Sequence, residues 1–435
     1  MSSAAHASAG LTRVRYKVLA MAVLLAGITY LDRVCISVTA PNMMHDLGLS
    51  RIQMSFVFSA FTLAYAIFEI PTGWWGDRVG TRRVLTRIVA WWSSFTVLTG
   101  AAFSYPSLLT IRFLFGAGEA GAWPNVARTF SRWFPMRERG TVQGIFFMGA
   151  HLAGGVTPLL VTALLGHLEW RMLFVIFGTI GFLWAFAWYR WFRDDPAQHP
   201  AVGPAECAYI KSGRAAATGH HFSPAQWRSL LANRTVLALC LMYFTQTYGF
   251  NFYVTWLPTY LESSRGFSSF TLAILAGLPL TLSVVADLLG GITTDRLARR
   301  FGLRIGRAAV GGGSLTAAGL FMIGGTLVDN PVPAAVLISL AGASSNFLLG
   351  AAWGTCIDIG GNHSGVLSAA MNTSGQIGGI ISPILLAFVV QQFASWSSPL
   401  YLTGVLYLLG ALCWVWIDPR PVCTVRNSQV TSVYS

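Results

Sequence analysis

The sequence predicts an all-α, polytopic membrane protein with twelve transmembrane helices in two pseudo-symmetric six-helix halves. Composition is the first reason: of 435 residues, 54% are hydrophobic and only 10% are charged, and the mean hydropathy is +0.57. A soluble domain is usually about 45–50% apolar and about 25% charged. The other two reasons are the number of apolar stretches that can cross a bilayer and a motif that recurs halfway along the chain.

Apolar stretches of about 20 residues define the spans. The predicted spans are residues 16–40, 54–75, 84–103, 106–128, 140–165, 171–192, 235–261, 270–294, 305–327, 332–357, 364–391 and 399–418. Residues 1–192 then form the N-terminal half, residues 193–234 a cytoplasmic linker with one short helix, and residues 235–435 the C-terminal half with a short tail. The first stretch is too long for a cleavable signal peptide and carries Asp32 and Arg33, so we expect it to remain as a helix.

The basic residues indicate the orientation in the membrane. The net charge is +13 and the pI is near 9.9. With both termini placed in the cytoplasm, the Lys and Arg residues outside the spans collect on the cytoplasmic side, and the exceptions are Arg51, Arg171 and Arg265. This asymmetry follows the positive-inside rule, so the excess charge points to membrane lipids and not to a nucleic-acid partner.

Two pairs of charged residues interrupt the spans: Asp32 and Arg33 in the first, Arg112 and Glu119 in the fourth. Each would cost about 2.5–3.5 kcal/mol at the bilayer centre, so we expect them to face the protein interior. Arg112 and Glu119 are seven residues apart, almost two helical turns, and therefore share one helix face. Tyr30 shares the face of Arg33 in the same way. The alternative to a functional site is a structural ion-pair network that only holds helices together.

A repeated motif indicates a duplicated six-helix unit. The first copy contains Gly73, Asp77, Arg78 and Arg82, and the second contains Gly291, Asp295 and Arg296. Asp77 and Asp295 are 218 residues apart, and an acid, Glu69 or Asp287, precedes each of them by eight residues. Parallel repeats of this kind enclose a central site near the bilayer midplane.

These features resemble a known family. The two motif copies, the run 112–118 (Arg-x-x-x-Gly-x-Gly) and the twelve spans resemble the major facilitator superfamily over nearly the whole chain. Within it, residues 30–33 (Tyr-Leu-Asp-Arg), 68–73 (Phe-Glu-Ile-Pro-x-Gly) and 116–120 (Gly-Ala-Gly-Glu-Ala) are similar to the anion:cation symporter family. That family holds bacterial sugar-acid carriers and vesicular organic-anion carriers.

The resemblance implies proton-coupled import of a small organic anion, above all an aldonate, hexuronate or aldarate, by alternating access at a bacterial cytoplasmic membrane. It implies a monomer, and no cofactor besides the proton as coupling ion. Motif residues Gly73, Asp77, Arg78, Arg82, Gly291, Asp295 and Arg296 would contact helix ends of the opposite half and hold the outward-open state.

Within this interpretation the site residues take separate roles. Arg33 binds the carboxylate, because a planar guanidinium pairs with it bidentately. Asp32 and Glu119 gain and lose protons, and Arg112 exchanges partners between them. The predicted substrate-binding residues are Tyr30, Arg33, Tyr65, Arg112, Asn251, Trp353 and Asn372. The first half thus supplies charges, and the second supplies amides and aromatics that suit sugar hydroxyls.

Several alternatives stay open. A helix-to-helix hydrogen bond explains any one amide about equally well, and His151 fits a proton relay, a cavity hydrogen-bonder or a structural residue. Gly350, Ala351 and Ala352 stand where the resembled family often has small hydroxyl residues, which leaves the substrate open. The rival functions are a proton-independent exchanger or facilitator, an importer of aromatic or other carboxylates, and a membrane sensor. An enzyme is not expected, because no His/Cys/Asp cluster has metal-ligand spacing and no Ser lies in a nucleophile-elbow motif.

Overall fold

The computed structural model describes residues 12–211, 233–267, 269–393 and 395–419. These residues form sixteen α-helices and three short 3-10 helices. The α-helices are α1 Val14–Leu47, α2 Arg51–Val79, α3 Thr81–Gly100, α4 Tyr105–Glu119, α5 Ala122–Trp133, α6 Arg139–Leu165, α7 Trp170–Trp191, α8 Pro204–Lys211, α9 Arg234–Thr255, α10 Leu257–Ser263, α11 Ser269–Phe301, α12 Leu303–Leu327, α13 Pro331–Phe347, α14 Leu349–Gly360, α15 Ser364–Phe393 and α16 Ser397–Cys413. The 3-10 helices are Met136–Glu138, Pro196–Gln198 and Gly361–His363. The predicted N-terminal tail, the rest of the linker and nearly all of the C-terminal tail lie outside the described residues.

The predicted all-α membrane architecture is confirmed. Eight helical stretches of the described chain are long and apolar enough to cross a membrane. The four remaining predicted spans are α3, α4 with α5, α9 with α10, and α16. Several predicted limits are too short: α1 continues to Leu47 and α11 to Phe301, because polar residues near a membrane surface can extend a helix beyond its apolar stretch.

Three predicted spans are divided into two helices each. The fourth breaks between α4 and α5 at Ala120 and Gly121, the seventh between α9 and α10, and the tenth between α13 and α14. Gly121 has φ +85°, and a Cβ at this position would lie 2.2 Å from the hydroxyl oxygen of Thr72. A side chain there would be strained and would also clash. The break makes Glu119 the last residue of α4, so its carboxylate lies at a helix discontinuity.

The two halves meet along two seams. α2 packs against α15 at one, and α6 packs against α11 at the other; we call them the α2–α15 seam and the α6–α11 seam. α1 begins and α16 ends on one side of the bundle, which we call the terminal side. Most of the recurring motif is helical and not a loop, because α2 and α11 continue through it up to Gly80 and Gly302, whose φ values are +96° and +88°.

The start of the linker folds onto the first half through Glu206 of α8. Its buried carboxylate accepts hydrogen bonds from Thr12 Oγ1 (2.6 Å), the Val14 backbone N–H (2.9 Å) and the Arg15 guanidinium (3.2 Å). Burial by itself would raise the pKa of Glu206, but these hydrogen bonds outweigh it and hold the pKa below its ordinary value. α8 therefore ties the linker to the beginning of α1 on the terminal side.

Candidate functional site

A cavity of about 330 Å³ lies between the halves, walled by helices of both. The predicted substrate-binding residues that line it are Tyr30, Arg33, Asn251, Trp353 and Asn372. Tyr65 and Arg112 are not in its wall; they lie behind it and are 1% and 2% exposed. Trp123 and Phe147 add stacked rings to the same wall, with centroids 5.7 Å apart. The volume is near the lower end for ligand pockets and suits a small molecule.

Arg33 is the charged residue of the first half that reaches this cavity. Its Nε lies 2.5 Å from Oε1 of Glu119, and the two side chains are 22% and 0% exposed. The guanidinium also lies over the ring of Tyr65 at 4.9 Å. Nη2 of Arg33 and Oε2 of Glu119 are buried without a hydrogen-bond partner among the described residues. The ion pair thus leaves hydrogen-bonding capacity on both side chains, a donor on Arg33 for an anion and an acceptor on Glu119 for a proton.

Asp32 and Arg112 lie behind that pair. Asp32 is 1% exposed and lies near the Trp92 and Thr96 side chains of α3. The Arg112 guanidinium lies 4.2 Å from the ring centroid of Phe115. Asp32, Arg33, Arg112 and Glu119 are close enough to interact electrostatically, so the structure brings together the four predicted charges. Of the four, Arg33 lines the cavity.

Several polar side chains of the second half already have protein partners. Gln246 Nε2 donates to Asn346 Oδ1 (3.0 Å), and Asn346 Nδ2 donates to Ser283 Oγ (2.8 Å). Asn251 Nδ2 donates to the Thr247 carbonyl oxygen (2.9 Å). The helix-to-helix alternative therefore describes Gln246 and Asn346 as they stand, and these amides would have to change partners to meet a sugar hydroxyl.

In each seam, at the level of the cavity, a buried acid of one helix forms hydrogen bonds with the helix of the opposite half. In the α2–α15 seam, the buried Glu69 carboxylate accepts from Asn372 Nδ2 (2.5 Å) and Thr373 Oγ1 (3.1 Å). In the α6–α11 seam, Asp287 Oδ2 lies 2.5 Å from Nδ1 of His151. The two acids that the sequence repeat relates are therefore equivalent in position, but their partners differ in chemistry.

At the terminal side the α2–α15 seam is closed by the first motif copy. Asp77 accepts from the backbone N–H groups of Gly365 (3.2 Å) and Val366 (2.9 Å), and it pairs with Arg128 (3.2 Å). A Cβ on Gly73 would lie 2.8 Å from the Gly365 carbonyl oxygen. Glycine at position 73 is thus required by a direct contact between the backbones of opposite halves.

The second copy closes the α6–α11 seam in the same way. Asp295 accepts from the backbone N–H groups of Gly140 (3.0 Å) and Thr141 (2.6 Å), and it pairs with Arg307 (2.9 Å). A Cβ on Gly291 would lie 2.5 Å from the Gly140 carbonyl oxygen. The repeat therefore reproduces one contact twice: an acid bound to the first backbone amides of a facing helix, beside a glycine packed on backbone.

Residues 22–383 match the Major Facilitator Superfamily. The chain belongs to this superfamily. It is similar to a probable sulfoacetate transporter of Cupriavidus necator, at 34% identity over 94% of both chains. It is also similar to a probable galactarate/D-glucarate transporter of Bacillus subtilis, at 31% identity over 90% of this chain and 89% of the relative, and to the hexuronate transporter of that species, at 30% over 89% and 91%.

A solved structure has the same fold. The proton:xylose symporter XylE bound to 6-bromo-6-deoxy-D-glucose matches with a TM-score of 0.73 at 14% identity, over 94% of this chain and 97% of that one. The resemblance read from the sequence motifs is thereby confirmed, and the chain is a membrane transporter and not an enzyme.

The cavity of this transporter adjoins a cleft on the side opposite the terminal side. The cleft has a volume of about 1110 Å³ and lies between α2, α4 and α15. Asn251 and Gln376 belong to the walls of both cleft and cavity. The cross-seam contacts of Asp77 and Asp295 close the terminal side at the same time. The structure therefore combines a closed terminal side with a cleft that adjoins the cavity on the other side.

The sequence analysis did not predict the arginines that pair with the motif acids. It predicted instead that Arg78 and Arg82 contact the opposite half. Arg82 donates to the Tyr189 carbonyl oxygen and Arg78 lies over the ring of Trp74, both within the first half. The cations beside the motif acids are Arg128 and Arg307, described above, and Arg139 pairs with Asp358 across the α6–α11 seam at 2.9 Å. The basic cluster at the end of the fourth span, which contains Arg128 and Arg139, is the sequence signal for two of these cations, although the positive-inside rule alone also explains it.

Proposed function

We propose that this transporter imports a small organic anion, with a sugar acid as the first candidate, together with protons across a bacterial cytoplasmic membrane. The main support for this proposal is the Arg33–Glu119 pair. It places a partly exposed guanidinium in the cavity wall and a fully buried carboxylate directly behind it. The names of the relatives support an anionic substrate.

The pair offers a physical route to coupling. When the substrate carboxylate takes the Arg33 guanidinium, Glu119 loses part of its counter-charge in a buried site. An unpaired buried charge is costly, so Glu119 then favours binding a proton. Asp32 and Arg112 behind the pair provide a second carboxylate and a guanidinium that can change partners in the same way. Substrate and proton thus enter together, each making the site more favourable for the other.

The contacts in the two seams suggest how the transporter would alternate between its outward-facing and inward-facing states. The positive-inside rule assigns the terminal side to the cytoplasm, so this structure corresponds to the state that faces outward. Import requires the contacts of Asp77 and Asp295 to open while the opposite side closes around the loaded cavity. The two halves then move largely as rigid bodies around a site that stays near the midplane.

Uptake into proteoliposomes tests the function. The panel is labelled glucarate, galactonate, glucuronate, sulfoacetate and benzoate, each with and without an imposed proton gradient. We expect at least one anion to accumulate above its external concentration only when the gradient is present. Accumulation that ignores the gradient, with substrate counterflow intact, would favour a proton-independent exchanger.

Glu119→Gln tests the coupling residue. Glutamine imitates the protonated acid but cannot release a proton, so we expect gradient-driven accumulation to be lost while counterflow of labelled for unlabelled substrate is retained. Glu262→Gln, at an exposed acid in α10, is the matched control and should behave as wild type. Continued uphill accumulation by folded Glu119→Gln protein would exclude Glu119 and shift the role to Asp32.

A further inference from the structure

The His151–Asp287 pair lies in the α6–α11 seam, but its histidine also faces the cavity. Packing of the seam does not explain why a histidine stands there. His151 is 6% exposed and lines the cavity, whereas Asp287 is fully buried behind it. Nδ1 of the ring faces the carboxylate at 2.5 Å. A carboxylate on one ring nitrogen fixes the orientation of an imidazole and leaves the other nitrogen for a ligand. Nε2 has no hydrogen-bond partner identified in the described part of the chain.

The equivalent place in the other seam shows that closure does not need a histidine. There Glu69 is satisfied by Asn372 and Thr373, both neutral donors. An amide or hydroxyl would hold Asp287 equally well if packing were the only requirement. An imidazole differs from them because it can carry a positive charge and donate from both edges of the ring at once.

The distribution of charge along the cavity wall limits the class of ligand that the cavity can bind. Among the described lining residues, Arg33 is the permanent cation, and the second half contributes no Lys or Arg. A second acidic group on the ligand would therefore find positive charge only at a protonated His151. Tyr30 connects the two positions: it precedes Arg33 by one helical turn, and its ring centroid lies 6.1 Å from that of His151. A turn separates Cβ atoms by about 5–6 Å, so a small molecule lying along Tyr30 can reach both groups.

We propose that His151, oriented by Asp287, is a second anion-binding group of the cavity, and that the transported anion carries two acidic groups, one bound by Arg33 and the other by Nε2 of His151. This rests on the proposed function, since it specifies the anion that the same site takes. The titratable and charged groups facing the imidazole are Asp287 from α11 and Tyr30 from α1, and Arg33 and Tyr243 line the same cavity. Nε2 then donates a hydrogen bond to the second acidic group.

Matched pairs of anions test the proposal in the wild-type protein. Glucarate and gluconate differ only by a terminal carboxylate in place of a hydroxymethyl group, and sulfoacetate and 2-hydroxyethanesulfonate differ in the same way. Each is used as a competitor of whichever labelled anion the panel shows to be transported. We expect the dianion of a pair to compete at least about tenfold better than its partner, which corresponds to about 1.4 kcal/mol.

Using the ratio removes effects at the Arg33 end. A change in the protonation of Asp32 or Glu119 alters the binding of both members of a pair there, so it cancels in the ratio. A ratio near one would overturn the proposal without any variant. Failure to transport any anion of the panel would instead contradict the proposed function, so the two failures are distinguishable.

His151→Gln is the second arm of the test. Glutamine can still donate to Asp287, but it has neither the charge nor a donor on the opposite edge, so the dianion-to-monoanion ratio should collapse towards one. His167→Gln, at an exposed histidine just after α6, is the matched control and should keep the wild-type ratio. Equal weakening of both members of each pair in His151→Gln would assign His151 to the Arg33 end or to general packing, and would reject the two-ended site.

Discussion

The two seams between the halves come from one repeated unit, and they differ most where they pass the cavity. At the terminal side, Asp77 and Asp295 each accept two backbone N–H groups of a facing helix and each pair with an arginine. At the cavity, Glu69 meets neutral donors while Asp287 meets an imidazole. The repeat has kept the closure at the terminal side and has diverged at the level of the ligand.

The difference follows from what each level has to do. In the proposed cycle the closure forms and breaks in both seams together, which suits two contacts built from the same chemistry. The cavity wall does not repeat in this way. Its first-half wall carries Arg33, and its second-half wall carries amides and aromatic rings. Symmetry at the gate and asymmetry at the site are therefore both expected of a duplicated transporter.

The largest effect is expected from filling the glycine contacts. In Gly291→Val, the added Cβ would lie 2.5 Å from the Gly140 carbonyl oxygen, and in Gly73→Val it would lie 2.8 Å from that of Gly365. Backbone atoms cannot move aside cheaply, so the terminal side cannot close in either variant. We expect initial uptake to fall by more than about tenfold, a loss that requires only about 1.4 kcal/mol against the closed state.

Gly313→Val is the matched control, because a Cβ at this α12 glycine meets nothing within 4 Å. Ser364→Cys in a cysteine-free background reports opening of the α2–α15 seam, since Ser364 is buried here. Faster labelling from the terminal side should accompany the loss of uptake in Gly73→Val. Normal uptake in both seam variants would show that these contacts do not limit transport.

Neutralising the acids of the closures should slow turnover. Asp77→Asn and Asp295→Asn each remove a carboxylate that accepts from two backbone N–H groups across a seam. In Asp295→Asn the Arg307 guanidinium still contacts a second carboxylate, Asp358, at 3.2 Å. We expect turnover to slow by about threefold in Asp295→Asn, because its arginine keeps a carboxylate partner, and in the same direction in Asp77→Asn. The apparent affinity for substrate should change little in either.

Uptake kinetics with the best substrate of the panel give both quantities. Asp46→Asn, on the opposite side of the bundle, serves as a control for neutralising an acid outside the seams. A larger effect in Asp295→Asn would show that Asp358 does not compensate. Loss of affinity with normal turnover would place these acids in the substrate site.

Sequence reasoning predicted the parts of the site that depend on local spacing. The charges in the first and fourth spans were expected to lie together, and Arg33 Nε and Glu119 Oε1 are 2.5 Å apart; their transport roles stay predictions. The pairing of Gln246 with Asn346 joins residues 100 positions apart, so no periodicity could reveal it. The contacts of Arg307 depend in the same way on how helices of one half pack after folding.

Glu69→Gln tests whether the two seams differ in function at the level of the cavity. Asn372 and Thr373 donate to Glu69, and a glutamine carbonyl oxygen can accept from one of them while its amide group turns to another acceptor. We expect uptake to change by about threefold or less, because the glutamine side chain keeps one of the two hydrogen bonds. The ratio of dianion to monoanion competition should equal that of wild type. A collapsed ratio in Glu69→Gln would mean that both seams take part in recognising the second acidic group.

The smallest effect is expected at Glu206, which belongs to neither seam. Hydrogen bonds from Thr12, Val14 and Arg15 hold the folded-state pKa of Glu206 below its value in the unfolded chain, which is about 4.3. The carboxylate therefore stabilises the fold above that unfolded value, and its contribution is lost as pH falls through the folded-state pKa.

Glu206→Gln should therefore lower the apparent Tm at pH 7 by a few degrees, and the difference from wild type should shrink at about pH 4. The transport rate and the dianion-to-monoanion ratio should be unchanged, because α8 and the beginning of α1 both belong to the first-half side of the seams. Thermal unfolding of the purified protein at both pH values, with the exposed Glu169→Gln as control, measures it; a difference that is the same at both pH values would show that packing of α8, and not the carboxylate, holds the linker.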